Sequence, residues 1–404
     1  MSNLTDSELG GMMQLVRGTQ WYVGMFGDPY ALLLRAQADD PYPHYELARE
    51  QGRLYQSPLG SWVCTGHALA AQVLADPRFD ARTADGGTAA QHVLALDDSF
   101  LGLDRTAHDR LRERTATLLG PQAVERYRTL TERVGGALLD GLGAEFDLAA
   151  DFATPLAVGV LAELLAVPTK DRARFAEHCP ALGTALDAEV CPQQLAPARA
   201  LITALRWLRG ELAARPDTGL LDEVAAAGGD EAADDALAVA VLLAVTGIPA
   251  TSSLVCNAAL ALLADPARCE EVRSDPGLLS KVIDETLRHD PPVHLRSLVA
   301  REDVRIDGQL IAAGSQLVVL LAAANRDPEV FCDPGRFDPH RAESAALLGG
   351  AHHELTAPLA RLQAEVALRL LLDRLPRLRQ DGPIVRRRRA PVSRAIARVP
   401  VTAA

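Results

Sequence analysis

The sequence predicts a mainly α protein with a small β region, an α+β chain folded as a single domain over residues 1–404. Three observations carry this. Ala, Leu and Val dominate a composition that is 48% hydrophobic but only 4% aromatic, which suits packed helices. Apolar residues recur at helical spacing in segment after segment. Beyond Pro291-Pro292 the pattern changes to apolar and polar residues in alternation, the mark of strands.

In chain order, Asp6 to Phe26 reads as a helix ended by the turn chemistry of Gly27-Asp28-Pro29. The stretch to Tyr55 carries Trp21, Tyr22, Phe26, Tyr30, Tyr42, Tyr45 and Tyr55 in a chain otherwise poor in rings. Core packing is the default for such rings, and Trp21, Tyr22 and Tyr30 are the candidate partner contacts. Arg53 to Gln56 and Trp62 to Thr65 flank Ser57-Pro58-Leu59-Gly60 as a hairpin, giving a first β segment near 53–65. Helices follow at Ala68 to Leu74, around His108 to Arg112, and at Glu125 to Leu139, Pro155 to Leu165, Asp171 to His178 and Ala196 to Ala213. A central helix from about Asp234 to Ala264 exceeds the ordinary length. Leu278 to Arg288 forms another that stops before Pro291-Pro292. Val293 to Ile311 reads as a β-meander with Asp307-Gly308 as its turn, and Gln316 to Leu321 adds a strand, so the second β segment lies near 293–321. A loop holding Gly349-Gly350 and Glu354 then feeds a last helix from Ala357 to Leu372.

With 53 acidic and 41 basic residues the net charge is -12, which repels nucleic acid and anionic membranes. The run Arg386 to Arg389 is the local exception. No aromatics are interleaved with it, so it reads as a solvated basic edge. The cysteines Cys64, Cys179, Cys191, Cys256, Cys269 and Cys332 have no metal-type spacing and follow no secretory signal, which predicts a cytoplasmic setting and no metal site. Ala236 to Ala264 is apolar enough to raise a membrane question. Thr246, Gly247, Pro249, Thr251, Ser252, Ser253 and Asn257 interrupt it, so a buried central helix is expected.

Several landmarks, in order, resemble the cytochrome P-450 family. Glu285-Thr286-Leu287-Arg288 is similar to the family's Glu-x-x-Arg pair, and Pro334-Gly335-Arg336-Phe337 is similar to the segment whose arginine joins it. Glu285 and Arg288 lie one helical turn apart, and a second guanidinium satisfies the carboxylate's other lone pairs. Ala357-Pro358-Leu359-Ala360-Arg361-Leu362 resembles the start of the helix after the haem ligand. The resemblance implies the cytochrome P-450 fold over nearly the whole chain, with Glu285, Arg288 and Arg336 as structural residues.

The same resemblance implies losses. Glu354 stands at the position of the family's cysteine ligand, and Thr356 replaces the glycine that admits the porphyrin. A carboxylate is hard where the iron chemistry needs a soft thiolate. The consecutive residues His352, His353 and Glu354 cannot all face one metal. Thr246-Gly247-Ile248-Pro249-Ala250-Thr251 replaces the oxygen-activating motif, with Pro249 at the acid position and Ala250 at the alcohol position. Proline inside a helix deletes a ladder bond at a cost of about 3 kcal/mol, so a kinked central helix is expected. Leu298 occupies the position of a propionate-binding arginine, and Arg296 is expected to point to the other side or to need a register shift. His108 and Arg112, which match the family's propionate holders, survive. These vestigial positions imply no haem or other cofactor, no metal and no catalytic residue. An empty slot is destabilising, so collapse of the central helix and the Glu354 loop is expected, with Glu354, if buried, paired to Arg112 or His108.

Within the family, Gln20-Trp21-Tyr22 and Gly27-Asp28-Pro29-Tyr30-Ala31-Leu32-Leu33-Leu34-Arg35 resemble the haem-less auxiliary proteins of deoxysugar glycosyltransferases in macrolide and anthracycline antibiotic biosynthesis. That resemblance implies a cytoplasmic pseudoenzyme that binds, stabilises and activates a TDP-deoxysugar glycosyltransferase acting on a polyketide aglycone. The complex would be heteromeric with more than one copy of each chain, and would involve neither nucleic acid nor membrane. The alternatives are a haem or other cofactor enzyme with altered ligation at Glu354, and a small-molecule binding protein using the inherited pocket.

Overall fold

The computed structural model describes residues 4–87, 94, 96, 99–215, 218–226, 231–342 and 346–403, and the backbone alone of Ala351 and His352. Helix α1 (Asp6–Met25) begins at a capping box: the Thr5 hydroxyl accepts from the Glu8 amide at 3.3 Å, and Glu8 Oε2 accepts from the Thr5 amide at 2.8 Å. Asp28 caps α2 (Pro29–Arg35), accepting from the Ala31 amide, with Pro29 at the first helical position. Then come α3 (Tyr42–Glu50), α4 (His67–Ala75), α5 (Arg105–Leu119), α6 (Arg128–Asp140), α7 (Thr154–Leu164), α8 (Arg172–Leu182), α9 (Ala185–Val190), α10 (Leu195–Ala213) and α11 (Leu220–Ala225).

The centre of the molecule is α12 (Ala232–Leu242), a π-helical turn (Leu243–Gly247) and α13 (Ile248–Leu263). Among the described residues the run Ala232–Leu263 is the one helix long and apolar enough to cross a membrane, and its most apolar stretch is wholly buried inside the protein. Pro249 follows the π turn by two residues. A π turn already shifts the hydrogen-bond ladder, so the missing proline donor falls where pairing is rearranged, in place of the expected interruption of a regular helix. Around this axis pack α7, α14 (Pro266–Ser274), α15 (Leu278–His289) and the long α17 (Ala351–Arg374), with the short α16 (Leu321–Ala324) set against α3 and α4.

A five-stranded sheet has the order β1-β2-β8-β5-β3, where β1 is Leu54–Gln56, β2 Trp62–Cys64, β3 Phe79–Asp80, β5 Arg296–Ala300 and β8 Gln316–Val319. Strand β8 runs parallel to β2 and antiparallel to β5. The meander expected over Val293 to Ile311 is therefore divided. Strands β6 (Val304–Ile306) and β7 (Gln309–Ile311) form their own two-stranded sheet. Asp307 and Gly308 both adopt positive φ, 48° and 75°, the geometry of a tight hairpin turn. Near the C-terminus β9 (Arg379–Gln380) and β12 (Pro400–Thr402) join β4 (Glu145–Asp147), while β10 (Val385–Arg386) pairs with β11 (Ile396–Arg398). Strands of two or three residues carry no readable alternation, and none of these five was expected.

The run Arg386 to Arg389 is not a solvated edge. Arg386 donates to the Arg394 carbonyl at 2.9 Å and to Asp290 at 3.0 Å, Arg387 to the Gly183 carbonyl at 3.1 Å, and Arg389 to the Pro192 carbonyl at 2.8 Å. Arg388 reaches the Gln37 carbonyl. Each guanidinium fastens the C-terminal segment to a separate part of the chain.

The ionic group on α15 forms with one change of member. Arg288 donates to Glu285 at 2.8 and 2.7 Å, and to the carbonyls of Asn325, Pro334 and Arg336 at 3.0, 2.9 and 3.1 Å. The second guanidinium near the carboxylate belongs to Arg341, at 3.6 Å. Arg336 contributes its backbone, while the residue itself is exposed. The turn at Pro334-Gly335 aims the Arg336 carbonyl inward, so the chain must advance five residues before a guanidinium can reach Glu285.

Candidate functional site

Helix α17 begins at Ala351, after Gly350 at φ 77°, and not at Ala357. Glu354 consequently sits in the first helical turn, where the exposed amides favour a carboxylate. Arg112 Nη1 meets Glu354 Oε2 at 2.6 Å and Arg112 Nη2 meets Asp109 at 2.7 Å, with both partners of the first pair about half exposed (53% and 48%). The expected partner is present, but at the surface and not in a buried slot.

Two residues further, Thr356 is buried against the π turn. A Cβ placed on Gly247 would lie 3.8 Å from both Thr356 Cβ and Cγ2. Ordinary van der Waals contact at that separation leaves no room for a planar ring between the two helices at this point. The described residues around Ala250, Leu254, His353 and Thr356 enclose about 30 Å³, and those around Gly247, Thr251 and Thr356 about 10 Å³. None of the residues lining either space is a carboxylate. His353 is buried, with its pKa pushed down to about 4 by burial and by the charge of Arg296, opposed by a backbone hydrogen bond at Gly349. Gly349 is required there, because a Cβ would fall 2.5 Å from His353 Nδ1.

The opposite edge of the cleft is open. A cavity of about 500 Å³ lies between α4, β3, α5, β5 and residues 346–350, with His108, Arg112, Leu298 and Glu354 in its wall. Arg296 lines it too. Residues two apart on a strand share a face, so Arg296 and Leu298 point together, and the expectation that Arg296 faces away is corrected. His108 is held neutral, its pKa pushed down to about 3 by burial and by Arg296, against the pull of Asp104.

Haem therefore does not fit these residues. The position that the resemblance assigns to the axial ligand holds a half-exposed carboxylate committed to Arg112, Thr356 packs against Gly247, and Pro249 and Ala250, at the positions it assigns to the oxygen-activating pair, carry no proton-donating group. Gly247 and Thr356 are in close packing, whereas the His108 edge lines an open cavity of about 500 Å³.

A second candidate site lies far along the chain, on the outer face of α1. Leu9, Met13, Gln20 and Gly24 are buried, while Leu15, Met25 and Phe26 are roughly three-quarters exposed (73%, 74% and 74%) and Tyr22 is 64% exposed. Of the eight large apolar side chains exposed among the described residues, five belong to α1 and its C-cap. Gly11, Leu15, Gly18, Tyr22 and Met25 recur at alternating steps of four and three, so they form one ridge. Nothing lies within 4 Å of a Cβ placed on Gly18 or Gly11. Tyr22 and Phe26 meet edge to face at 5.1 Å, and the Arg35 guanidinium covers Trp21 at 4.3 Å. Tyr30 is 2% exposed and belongs to the core, so it is removed from the contact candidates. Leu15, Met25 and Phe26 take its place. Their helical spacing from Tyr22 was the available signal.

A family model described as cytochrome P450 matches residues 267–347. Protein AknT of Streptomyces galilaeus is 41% identical over 98% of this chain and 96% of its own length. Cytochrome P450 monooxygenase PikC of Streptomyces venezuelae is 34% identical over 85% of this chain and 86% of its own. The crystal structure of Mycobacterium smegmatis CYP164A2 in its ligand-free state superposes with a TM-score of 0.81 at 33% identity, covering 93% of this chain and 99% of that one. With the helical order, the Glu285–Arg288–Arg341 group and the central helix in place, the chain belongs to the cytochrome P450 family.

Proposed function

We propose that this chain is a haem-less, non-catalytic cytochrome P450 relative that binds, stabilises and activates a TDP-deoxysugar glycosyltransferase acting on a polyketide aglycone. The observation that carries the reading is the outward apolar ridge of α1. A soluble monomer rarely leaves so many large apolar side chains on one helix face without an interaction to bury them. A ring such as Tyr22 or Phe26 buries about 150–250 Å², a large share of the roughly 800 Å² that one side of a standard interface covers.

Two further observations support it. The chain aligns with AknT over 98% of its length but with the monooxygenase PikC over 85%, and the axial position and the slot beside Gly247 are unsuited to haem. The activator works by binding the native transferase in preference to its inactive or unfolded forms, which raises the native population by mass action. The complex is cytoplasmic, holds more than one copy of each chain, and leaves both substrates to the transferase.

The test is an assay of the transferase from the same biosynthetic system, expressed alone, with this chain, and with a Leu15→Ser/Tyr22→Ser/Phe26→Ser variant. The expected result is soluble yield and turnover that depend on the chain and are lost with the variant. Equal yield and turnover in all three would remove the proposal. The purified chain is also expected to lack a Soret band; one that shifts under carbon monoxide would restore the reading of a haem enzyme with altered ligation at Glu354.

A further inference from the structure

Among the described residues, the cavity beside α4, α5 and β5 contains one cation that the others leave uncommitted. Arg105 donates to the Leu74 carbonyl at 2.9 Å, and Arg112 is paired with Glu354 and Asp109. His108 is neutral near pH 7. Arg296 has no hydrogen-bond or ion-pair partner among the described residues. It feels Glu189 of α9 and Asp80 of β3 only across a distance. Asp80 is itself engaged by the Ala81 and Arg105 amides and by Arg301. Arg296 keeps partial accessibility because it opens onto the cavity, while protein surrounds it otherwise. A desolvated guanidinium without a counter-ion is strongly unfavourable, and one lining a cavity points to a ligand that supplies the missing charge.

The remaining wall says what kind of ligand. Ala71, Leu74, Phe79, Leu103, Leu298 and Leu347 make most of it apolar. About 500 Å³ falls in the range of small-molecule sites. The wall carboxylates Asp80, Asp109 and Glu354 are already matched by Arg301 and Arg112, which leaves Arg296 as the one charge of the described lining for a ligand to pair. We propose that this cavity binds an organic monoanion, a single carboxylate on an apolar body, with the carboxylate held by the Arg296 guanidinium and the body against Leu298 and Leu74. The planar fork of arginine matches a carboxylate in a two-point pair. Leu298 completes the apolar wall at the place where a second arginine would demand a second charge. The assignment is independent of the transferase reading.

The experiment uses the purified full chain with octanoate, with octan-1-ol as a neutral analogue, and with inorganic phosphate as an anion lacking the apolar body. Thermal melting and calorimetry should show saturable one-to-one binding of octanoate with a rise in Tm, and neither effect for the other two probes. Arg296→Gln should weaken octanoate binding by about tenfold or more and raise the Tm of the ligand-free protein, since it removes an unpaired buried charge. Leu298→Trp should abolish binding by filling the cavity with Arg296 still present, and it serves as the test should Arg296→Gln fail to fold. An absent octanoate response, an equal response to octan-1-ol or phosphate, or undiminished binding in the folded variants would overturn the proposal.

Discussion

The outer face of α1 and the inner turn of α15 reverse the usual distribution of polarity in opposite senses. On α1, Leu15, Tyr22, Met25 and Phe26 face water; on α15, Glu285 and Arg288 are almost wholly enclosed, with side chains 4% and 1% exposed. Both are exceptions to the rule that apolar groups go inside and charges outside. They differ in what satisfies them. Each guanidinium nitrogen of Arg288 has a partner within the chain, including three carbonyls from the 325–336 segment. The α1 ridge has no such partner among the described residues, and the proposed function assigns its burial to another molecule. Internal closure marks a structural device, and the exposed apolar face is the part of the molecule on which the proposed interaction can be tested.

The largest expected effect comes from opening the closed group. Arg288→Met leaves the Glu285 carboxylate and three carbonyls buried with fewer partners, which should cost about 3–5 kcal/mol in urea unfolding. A loss under about 1 kcal/mol would contradict its structural role. Arg336→Ala should stay within about 0.5 kcal/mol, because the residue is exposed; a loss exceeding that of Arg341→Ala would return Arg336 to the group.

Acidification should come next. Burial pushes the pKa of His289, His294 and His353 down to about 4 and that of His108 to about 3, whereas unfolded histidine titrates near about 6.5. Between those values the unfolded chain binds more protons, so stability is full above about 6.5 and falls as pH drops toward 4. Glu189 opposes this: burial lifts its pKa to about 7 against the pull of Arg296, so its protonated form favours the fold above the unfolded carboxyl range. Burial raises the pKa of Asp187 as well; four histidines outweigh these two carboxyls, and Tm should fall from pH 7.5 to pH 5. A flat or rising Tm would break the assignment of these rings as buried and neutral.

The open ridge should respond in the other way. The triple serine variant of Leu15, Tyr22 and Phe26 should shift stability by only about 0.5 kcal/mol while losing the transferase. A large stability loss would mean that the ridge packs against this chain itself. Smallest of all is the surface pair of Glu354 and Arg112: Glu354→Gln should cost about 0–1 kcal/mol, as half-exposed ion pairs do. Glu354→Cys should recruit no haem, because Thr356 still meets Gly247. A Soret band in that variant would show that the slot can reopen.

Much of the fold was legible from residue pattern alone. The helices, the Ser57–Gly60 and Asp307-Gly308 turns and the Glu285–Arg288 pair rest on contacts within a turn or two of chain, which spacing encodes directly. The shared face of Arg296 and Leu298 was equally readable, since a strand's period of two admits no other arrangement. The start of α17 was not, because Gly349-Gly350 and Pro358 are both plausible punctuation and only the Gly350 backbone conformation decides between them. Nor could sequence show that Arg341 replaces Arg336, that Tyr30 is buried while Tyr22 is exposed, or that four consecutive arginines each find a different partner. Those outcomes depend on residues from tens to hundreds of positions apart.

By itself, then, the sequence determined the helical order, the ionic turn of α15 and the absence of a thiolate at position 354. Only the tertiary structure decided that the cleft closes at Thr356 yet stays open at Arg296, and that the unburied apolar surface gathers on α1. Periodicity acts between neighbours in the chain, whereas burial is a property of what the rest of the chain brings alongside.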